Sequence, residues 1–179
     1  MKNVHYVLFY LLLHCLPASA QMSFHEFGAR SKGLGNSNST LIDEWSIFNN
    51  VGGISGVAEG AVFFGYDIIP NLEGFDKVAA GAIQPFEIGN IGISALKFGD
   101  ELYSEQALSI AYGNKIGFVR PGFKANYNQL RIDEIGSAGA VSFDLGGVVE
   151  MLPKLSFAAY ISNFTLSRFD MRSEVNCLS

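Results

Sequence analysis

Segment 141–162 alternates almost strictly between apolar residues and polar or small ones. Ser142, Asp144 and Glu150 separate apolar residues in its first half, and a Leu-Pro-Lys turn at 152–154 precedes a second alternating half. Because successive side chains of a strand point to opposite faces, each half predicts a strand with one apolar face and one polar or small face. The two predicted strands form a hairpin. Each is long enough to cross an outer membrane, which takes roughly 9–11 residues per tilted strand.

The first 20 residues have the features of a secretion signal. Lys2 provides a positive start, positions 7–16 form an apolar run, and Ala18-Ser19-Ala20 is a small-residue cleavage site. The apolar run is shorter than the about 20 residues that a membrane-spanning helix needs. We therefore expect cleavage after Ala20 and export through the inner membrane.

The composition favours a membrane barrel among exported proteins. Hydrophobic residues make up 49% of the chain and charged residues 16%. No segment after the signal is continuously apolar over the about 18 residues of a transmembrane helix. Such a composition is typical of a β-barrel, in which lipid-facing residues occupy every second position. The net charge of −5 argues against a nucleic-acid partner, which needs a basic face.

The residue types that carry most catalysis and metal binding are scarce. The predicted signal contains Cys15, His5 and His14, and the remainder contains only His25 and Cys177. The sequence therefore predicts no internal disulfide, metal site or cofactor. It also predicts no enzymatic activity, because a serine nucleophile needs a histidine base beside it and none lies in a predicted strand.

The mature chain divides into an N-terminal segment at 21–56, a run of strands at 57–164 and a charged tail at 165–179, which we expect to be disordered. The predicted fold is all-β, an antiparallel up-and-down meander of about seven strands that forms part of an outer-membrane β-barrel. Its strands lie near 57–66, 76–84, 90–98, 106–112, 119–129, 139–151 and 155–164. Connections at 67–75, 99–105 and 130–137 are predicted to be long, and those at 85–89, 113–116 and 152–154 short, as in bacterial barrels. A soluble antiparallel sheet with one wet face is the alternative.

Four polar side chains fall on the predicted inner, lumen-facing side of the fifth and sixth strands. These are Lys124, Asn126, Asp144 and Glu150. The charged members can pair across the two strands, line a polar path, or pack against the N-terminal segment.

The N-terminal segment resembles the signature of the long-chain-fatty-acid-transporter-like (FadL-like) outer-membrane barrels. The resemblance rests on Gly-Ala-Arg-Ser at 28–31 and on the run from Asp43 through Trp-Ser-Ile-Phe-Asn-Asn to Ile54. It is closest to the branch of type IX secretion accessory barrels of the PorV and PorQ kind. Asn50 and Val51 replace the Pro-Ala pair of that signature. The matching signature residues are Gly28, Arg30, Trp45, Phe48, Asn49 and Gly52.

The resemblance implies an N-terminal hatch inside an outer-membrane barrel that passes hydrophobic small molecules. The PorV-like branch implies instead an accessory or shuttle barrel for secreted proteins, and both imply outer-membrane lipid as a partner. Leu41, Ile42, Trp45 and Phe48 recur at helical spacing, so we expect a short amphipathic helix in the hatch, capped by Ser39 or Thr40. This helix can serve transport or simply plug the lumen.

The chain departs from the family in its strand number. Barrels of the family are about twice as long, and bacterial barrels have even strand numbers, whereas seven strands are predicted here. We therefore expect a truncated N-terminal half, an open sheet whose first and seventh strands do not pair, and no transport by this chain alone.

Overall fold

The computed structural model describes residues 26–68, 74–152, 155–167 and 169. It contains one antiparallel sheet of seven strands that neighbour one another in sequence order. The strands are β1 (Ala61–Asp67), β2 (Lys77–Phe86), β3 (Gly89–Gly99), β4 (Tyr103–Gly113), β5 (Val119–Ile132), β6 (Gly136–Leu152) and β7 (Leu155–Ile161). The predicted all-β meander of seven strands is confirmed, and the sheet is open, with β1 and β7 at its two edges. The predicted signal peptide and most of the predicted tail lie outside the described residues.

The described part of the N-terminal segment, residues 26–56, packs on one face of the sheet, which we call the inner face; the opposite face is the outer face. The segment contains α1 (Ala29–Gly33), α2 (Ser46–Asn49) and a 3-10 helix (Val51–Gly56). Burial alternates along the strands, most regularly in β3 and β5. The residues buried on the inner face are mostly small or polar in β4–β6, and mostly apolar in β1–β3.

The helix predicted from Leu41 to Phe48 is wrong. Its only helical part is the single turn of α2, and Leu41 and Ile42 lie in irregular backbone. The Ser46 hydroxyl donates to the Leu41 carbonyl (2.9 Å) and accepts from the Asp43 backbone N–H (3.1 Å). Such side-chain bonds to nearby backbone groups compete with helix formation, which the apolar spacing alone does not register.

The predicted alternation of long and short connections is also wrong. The connections at 100–102 and 133–135 are short, and the one at 114–118 is longer than either. Polar residues assigned to loops instead extend the strands, because Tyr103 pairs with Ile132 and Glu105 with Leu130. Asp100 closes the tight turn by accepting from the Leu102 and Tyr103 backbone N–H groups.

The outer ends of the two edge strands, the start of β1 and the end of β7, also differ from the predicted ones. β1 begins at Ala61 rather than at position 57, because Val57 still bonds back to the 3-10 helix through the Ile54 carbonyl (3.1 Å). β7 ends at Ile161 rather than at position 164, because Asn163 adopts a positive φ of 47° and its side chain accepts from the Ser167 backbone N–H. Both differences reflect local side-chain and turn geometry that alternation does not encode.

Candidate functional site beneath the N-terminal segment

Over β1–β3, the N-terminal segment contacts the inner face through aromatic and aliphatic side chains. The rings of Phe27 and Trp45 stack with their centroids 5.2 Å apart, and Trp45 meets Phe63 of β1 edge-on at 4.9 Å. Phe48 lies nearly perpendicular to Phe63 at 6.2 Å. Aromatic pairs of this geometry contribute about 0.5–1.5 kcal/mol each beyond the area they bury. This cluster anchors the segment to the first strands.

Over β4–β6, a row of glycines lets the segment approach the sheet backbone directly. Gly113, Gly122 and Gly146 are register neighbours on three successive strands. A Cβ on Gly122 would stand 2.5 Å from the Gly52 nitrogen, and one on Gly146 would stand 2.2 Å from the Asn50 side-chain oxygen. Only glycine allows contacts this close. We call this row the glycine seat, because the backbone of the 3-10 helix packs directly against it.

Asn50 links the N-terminal segment to the sheet at the glycine seat. Its side-chain amide donates to the carbonyl oxygens of Ser39 (2.7 Å) and of Gly147 in β6 (3.2 Å), and its oxygen accepts from the Gly52 backbone N–H (3.2 Å). Asn50 has no accessible surface. A buried amide with its partners in place holds the segment and the sheet in one arrangement.

Two further asparagines hydrogen-bond to backbone groups near the two ends of the described N-terminal segment. The Asn90 amide of β3 donates to the carbonyl oxygens of Ile54 and Val57, at 2.8 Å each. Asn49 bonds to both backbone groups of Phe27, accepting from its N–H (3.3 Å) and donating to its carbonyl (3.0 Å). The path of the N-terminal segment is thus fixed by side-chain amides at both of its ends.

Lys124 of β5 and Asp144 of β6 form a buried ion pair at the centre of the site. They stand directly opposite each other in the ladder, and their charged atoms are 3.0 Å apart. Each side chain is only 2% exposed. The Lys124 ammonium also donates to the Ile47 carbonyl of α2 (3.2 Å). Charges at this depth are tolerated only when they are paired and hydrogen-bonded.

Asp144 is the hub of the surrounding network. Its carboxylate accepts from the Asn126 amide (2.9 Å), the Tyr160 hydroxyl of β7 (2.8 Å) and the Asn163 backbone N–H (2.8 Å). Every buried side-chain nitrogen and oxygen of the described residues has a hydrogen-bond partner. We call Lys124, Asn126, Asp144 and Tyr160 the polar junction, because they connect β5, β6, β7 and α2.

Glu150 lies on the inner face but apart from the polar junction. Its carboxylate lies 3.0 Å from the Arg120 Nε and 3.6 Å from the Lys115 ammonium. The Arg120 guanidinium also reaches the Ser55 hydroxyl at 3.4 Å. Of the two acidic side chains, Asp144 and Glu150, that were predicted to lie on this face with Lys124, only Asp144 pairs with it. Its contact with α2 also packs the pair against the N-terminal segment.

The remaining signature residues have structural positions in the segment. Gly28 has a φ of 115°, which favours glycine, and its Cα faces the Trp45 side chain. Arg30 is largely exposed and lies 3.6 Å from the Asp43 carboxylate. Partial burial raises the pKa of Asp43, while the hydrogen bond from Ser46 and the nearby Arg30 oppose that shift. Removal from water disfavours the charged form of this carboxyl group.

The outer face has the opposite chemistry. Five successive outward positions of β5 are apolar, namely Val119, Pro121, Phe123, Ala125 and Tyr127. A row of polar side chains in register across β3, β4 and β5 borders this apolar region, formed by Lys97, Gln106 and Gln129. Small residues of β2 and β3 open a shallow depression of about 700 Å³ in its middle, and no charged group lines it.

No protein-family model, curated protein or solved structure matches this chain. In the part of the chain that the structure describes, no helix is long and apolar enough to cross a membrane. Within the same residues, no three His, Cys, Asp or Glu side chains are grouped to hold a metal ion.

The sequence did not reveal the glycine seat, nor Tyr160 as a member of the polar junction, nor the backbone partners at Ile47 and Asn163. Gly113, Gly122 and Gly146 become neighbours only once the register of three strands is known. Tyr160 resembles any other alternating aromatic until β7 is aligned with β6. Asn50 was visible as a departure from the family signature, which was the one available signal that this position has its own role.

Proposed function

We propose that this chain forms part of an outer-membrane β-barrel of the FadL-like family, with its outer face against lipid. The observation that carries the proposal is the run of five outward apolar residues along β5. These positions extend over roughly 27 Å of strand at the usual rise of about 3.4 Å per residue. Because barrel strands are tilted by about 35–45°, this length projects to roughly 19–22 Å along the membrane normal and covers most of the apolar band of about 25 Å that outer-membrane barrels present to lipid.

The exposure of the outer face supports the same proposal. Val62 is 88% exposed, Leu108 60% and Ile110 57%, although all three are large and apolar. Soluble monomers rarely expose contiguous apolar patches larger than a few hundred Å². A lipid environment removes the cost of this exposure, because the face then contacts acyl chains rather than water.

The packing of the N-terminal segment on the inner face supports the role of a hatch. In a barrel, the inner face borders the lumen, so a segment held there by the aromatic cluster and the polar junction fills part of the lumen. We propose that the barrel serves the passage of small hydrophobic molecules across the outer membrane. The described strands leave β1 and β7 unpaired with each other. These two edges run in the same direction, so antiparallel closure needs further strands.

Two experiments test this function. Fractionation of cells that express the full chain should place it in the outer membrane, resistant to washing with alkaline carbonate; recovery in the soluble periplasm would contradict the proposal.

Uptake of an apolar fluorescent compound should fall when the complete gene is deleted and return on complementation. Unchanged uptake together with a block in protein secretion would favour the accessory barrel of type IX secretion instead.

A further inference from the structure

The alternating pattern of β5 and β6 leaves their register unspecified. A slip of one residue would turn every side chain to the wrong face, but a slip of two residues keeps each one on its face. β6 contains Gly136, Gly139, Gly146 and Gly147, together with Ala138 and Ala140. Glycine-rich strands offer few cross-strand contacts and are prone to slip. Two features beyond hydrophobic patterning favour the observed register. One is the row of glycines, because a two-residue slip would bring Asp144 or Val148 to the place beneath Asn50 where only Gly146 fits. The other is the charged pair.

We propose that the buried Lys124–Asp144 pair is a register pin for the β5–β6 hairpin. In the observed register the two residues stand directly opposite each other. A slip of two residues would place Ser142 or Gly146 opposite Lys124 and would leave two buried charges without their partner. Separating a buried ion pair is strongly unfavourable, whereas replacing it with apolar residues of similar size is often neutral. Its role is therefore the choice of one register among several.

The pin also aligns elements outside the hairpin. Lys124 reaches the Ile47 carbonyl of α2, and Asp144 accepts from Tyr160 of β7 and from the Asn163 backbone. In the slipped register, Lys124 and Asp144 would not both stand next to these partners. The choice of register by one ion pair therefore also positions the N-terminal segment and the last strand.

Cysteine cross-linking on the outer face can report the register without touching the pin. Tyr127 stands opposite Val141 in the structure. After a two-residue slip that brings position 142 opposite Lys124, Tyr127 would stand opposite Gly139. The reporters are Tyr127→Cys with Val141→Cys, and Tyr127→Cys with Gly139→Cys, both in a full chain whose two native cysteines are replaced by serine. Oxidative cross-linking is measured for each pair.

The decisive variant moves the acid by two positions, through Ser142→Asp combined with Asp144→Ser. We expect the cross-link to move from the 127–141 reporter to the 127–139 reporter. A variant that keeps the 127–141 cross-link, or that forms neither cross-link, would overturn the proposal.

A second variant removes the pin without leaving a charge behind, through Lys124→Met combined with Asp144→Leu. We expect the 127–139 cross-link, absent from the parent chain, to appear beside the 127–141 cross-link, with a melting temperature within a few degrees of the parent chain. Cross-linking of the 127–141 reporter alone would show that the register does not need the pair. The matched control is Glu150→Gln, which removes the neighbouring, more exposed ion pair and should leave the ratio of the two cross-links unchanged.

Discussion

The two faces of the same seven strands are specified in different ways. On the outer face, aliphatic residues such as Leu108 and Ile110 share one chemistry, and their side chains make no hydrogen bond. On the inner face of β4–β6, individual positions have partners of their own: Gly122 admits a backbone, Asp144 accepts from three donors besides pairing with Lys124, and Asn50 bridges segment and sheet. We therefore expect the outer face to tolerate substitution within a chemical class and the inner face not to.

In the proposed barrel, the difference follows from what each face would contact, lipid on the outer side and the N-terminal segment on the inner side. A uniform apolar medium requires only apolar side chains, because it offers neither hydrogen bonds nor fixed shapes. The N-terminal segment instead presents irregular backbone between short helices, and some of its carbonyl groups bond to side chains of the sheet, such as Ile47 to Lys124 and Ile54 to Asn90. The inner face must supply those partners one by one, because unsatisfied buried polar groups are costly.

The largest expected effect is on the inner face, from Asp144→Ala. This change leaves the Lys124 ammonium buried without its carboxylate, and it also removes the acceptor of Tyr160. Loss of one partner of a buried pair typically costs about 3–5 kcal/mol. The free energy of unfolding, measured with denaturant in detergent or lipid, should fall by that amount. A loss below about 1 kcal/mol would mean that water reaches the polar junction.

A smaller but more diagnostic effect is expected on the outer face, from Ile110→Lys. In a bilayer, a lysine near the midplane costs roughly 2–4 kcal/mol because no water hydrates its charge. The same substitution at an exposed position in water changes stability by only about 0.5 kcal/mol. Unfolding titrations in lipid vesicles, with Ile110→Gln as an uncharged control, distinguish the two cases. A near-zero effect for lysine would contradict a lipid-facing outer surface.

Gly122→Ala should cost less, about 1–3 kcal/mol, through overpacking of the glycine seat. The added Cβ would lie 2.5 Å from the Gly52 nitrogen, and backbone there cannot move aside as a flexible side chain can. Ala125→Val, three residues along the same strand but on the outer face, is the matched control and should be nearly neutral. Equal losses of stability from Gly122→Ala and Ala125→Val would show that the inner face is no more closely packed than the outer face.

The smallest effect concerns pH and Asp43. Because the pKa of Asp43 is raised in the folded chain, its contribution to stability is present below the unfolded pKa of about 4 and is lost as the pH rises through the folded pKa. Asp43→Asn should therefore gain stability relative to the parent chain between acid and neutral pH. Denaturant titrations of both chains at several pH values check this, and a difference that is flat with pH would contradict it.

The sequence predicted the outer face well and the inner face poorly, for a physical reason. Alternation over strands such as β5 assigns each residue to a face, and it correctly predicted seven strands in a meander. It also placed Lys124 and Asp144 on one face, but it left open whether they meet. The partners Tyr160 and Ile47 depend on register and on the path of a segment far away in the chain, and neither is encoded in local spacing.

The errors at the N-terminal segment have the same origin. Apolar spacing from Leu41 to Phe48 suggested one helix, but Ser46 binds the Leu41 carbonyl and Asp43 instead of letting the helix start earlier. The connection lengths failed because polar residues near Glu105 and Arg131 continue the strand ladder. A run of polar residues can belong either to a loop or to the end of a strand that extends past the apolar part of the sheet. Polarity alone does not distinguish the two.

The central claim, that the outer face lies against lipid, is tested most directly by site-directed spin labelling of the chain in lipid vesicles. Single labels would replace outward residues at mid-strand, Ile93, Leu108 and Val141, and for comparison Gln129 in the polar border row. Collision rates with oxygen, which partitions into lipid, should exceed those with a water-soluble nickel chelate at the three apolar sites, and the order should reverse at Gln129. Nickel collisions that dominate at all four sites would show that the outer face lies in water and would contradict the proposed barrel.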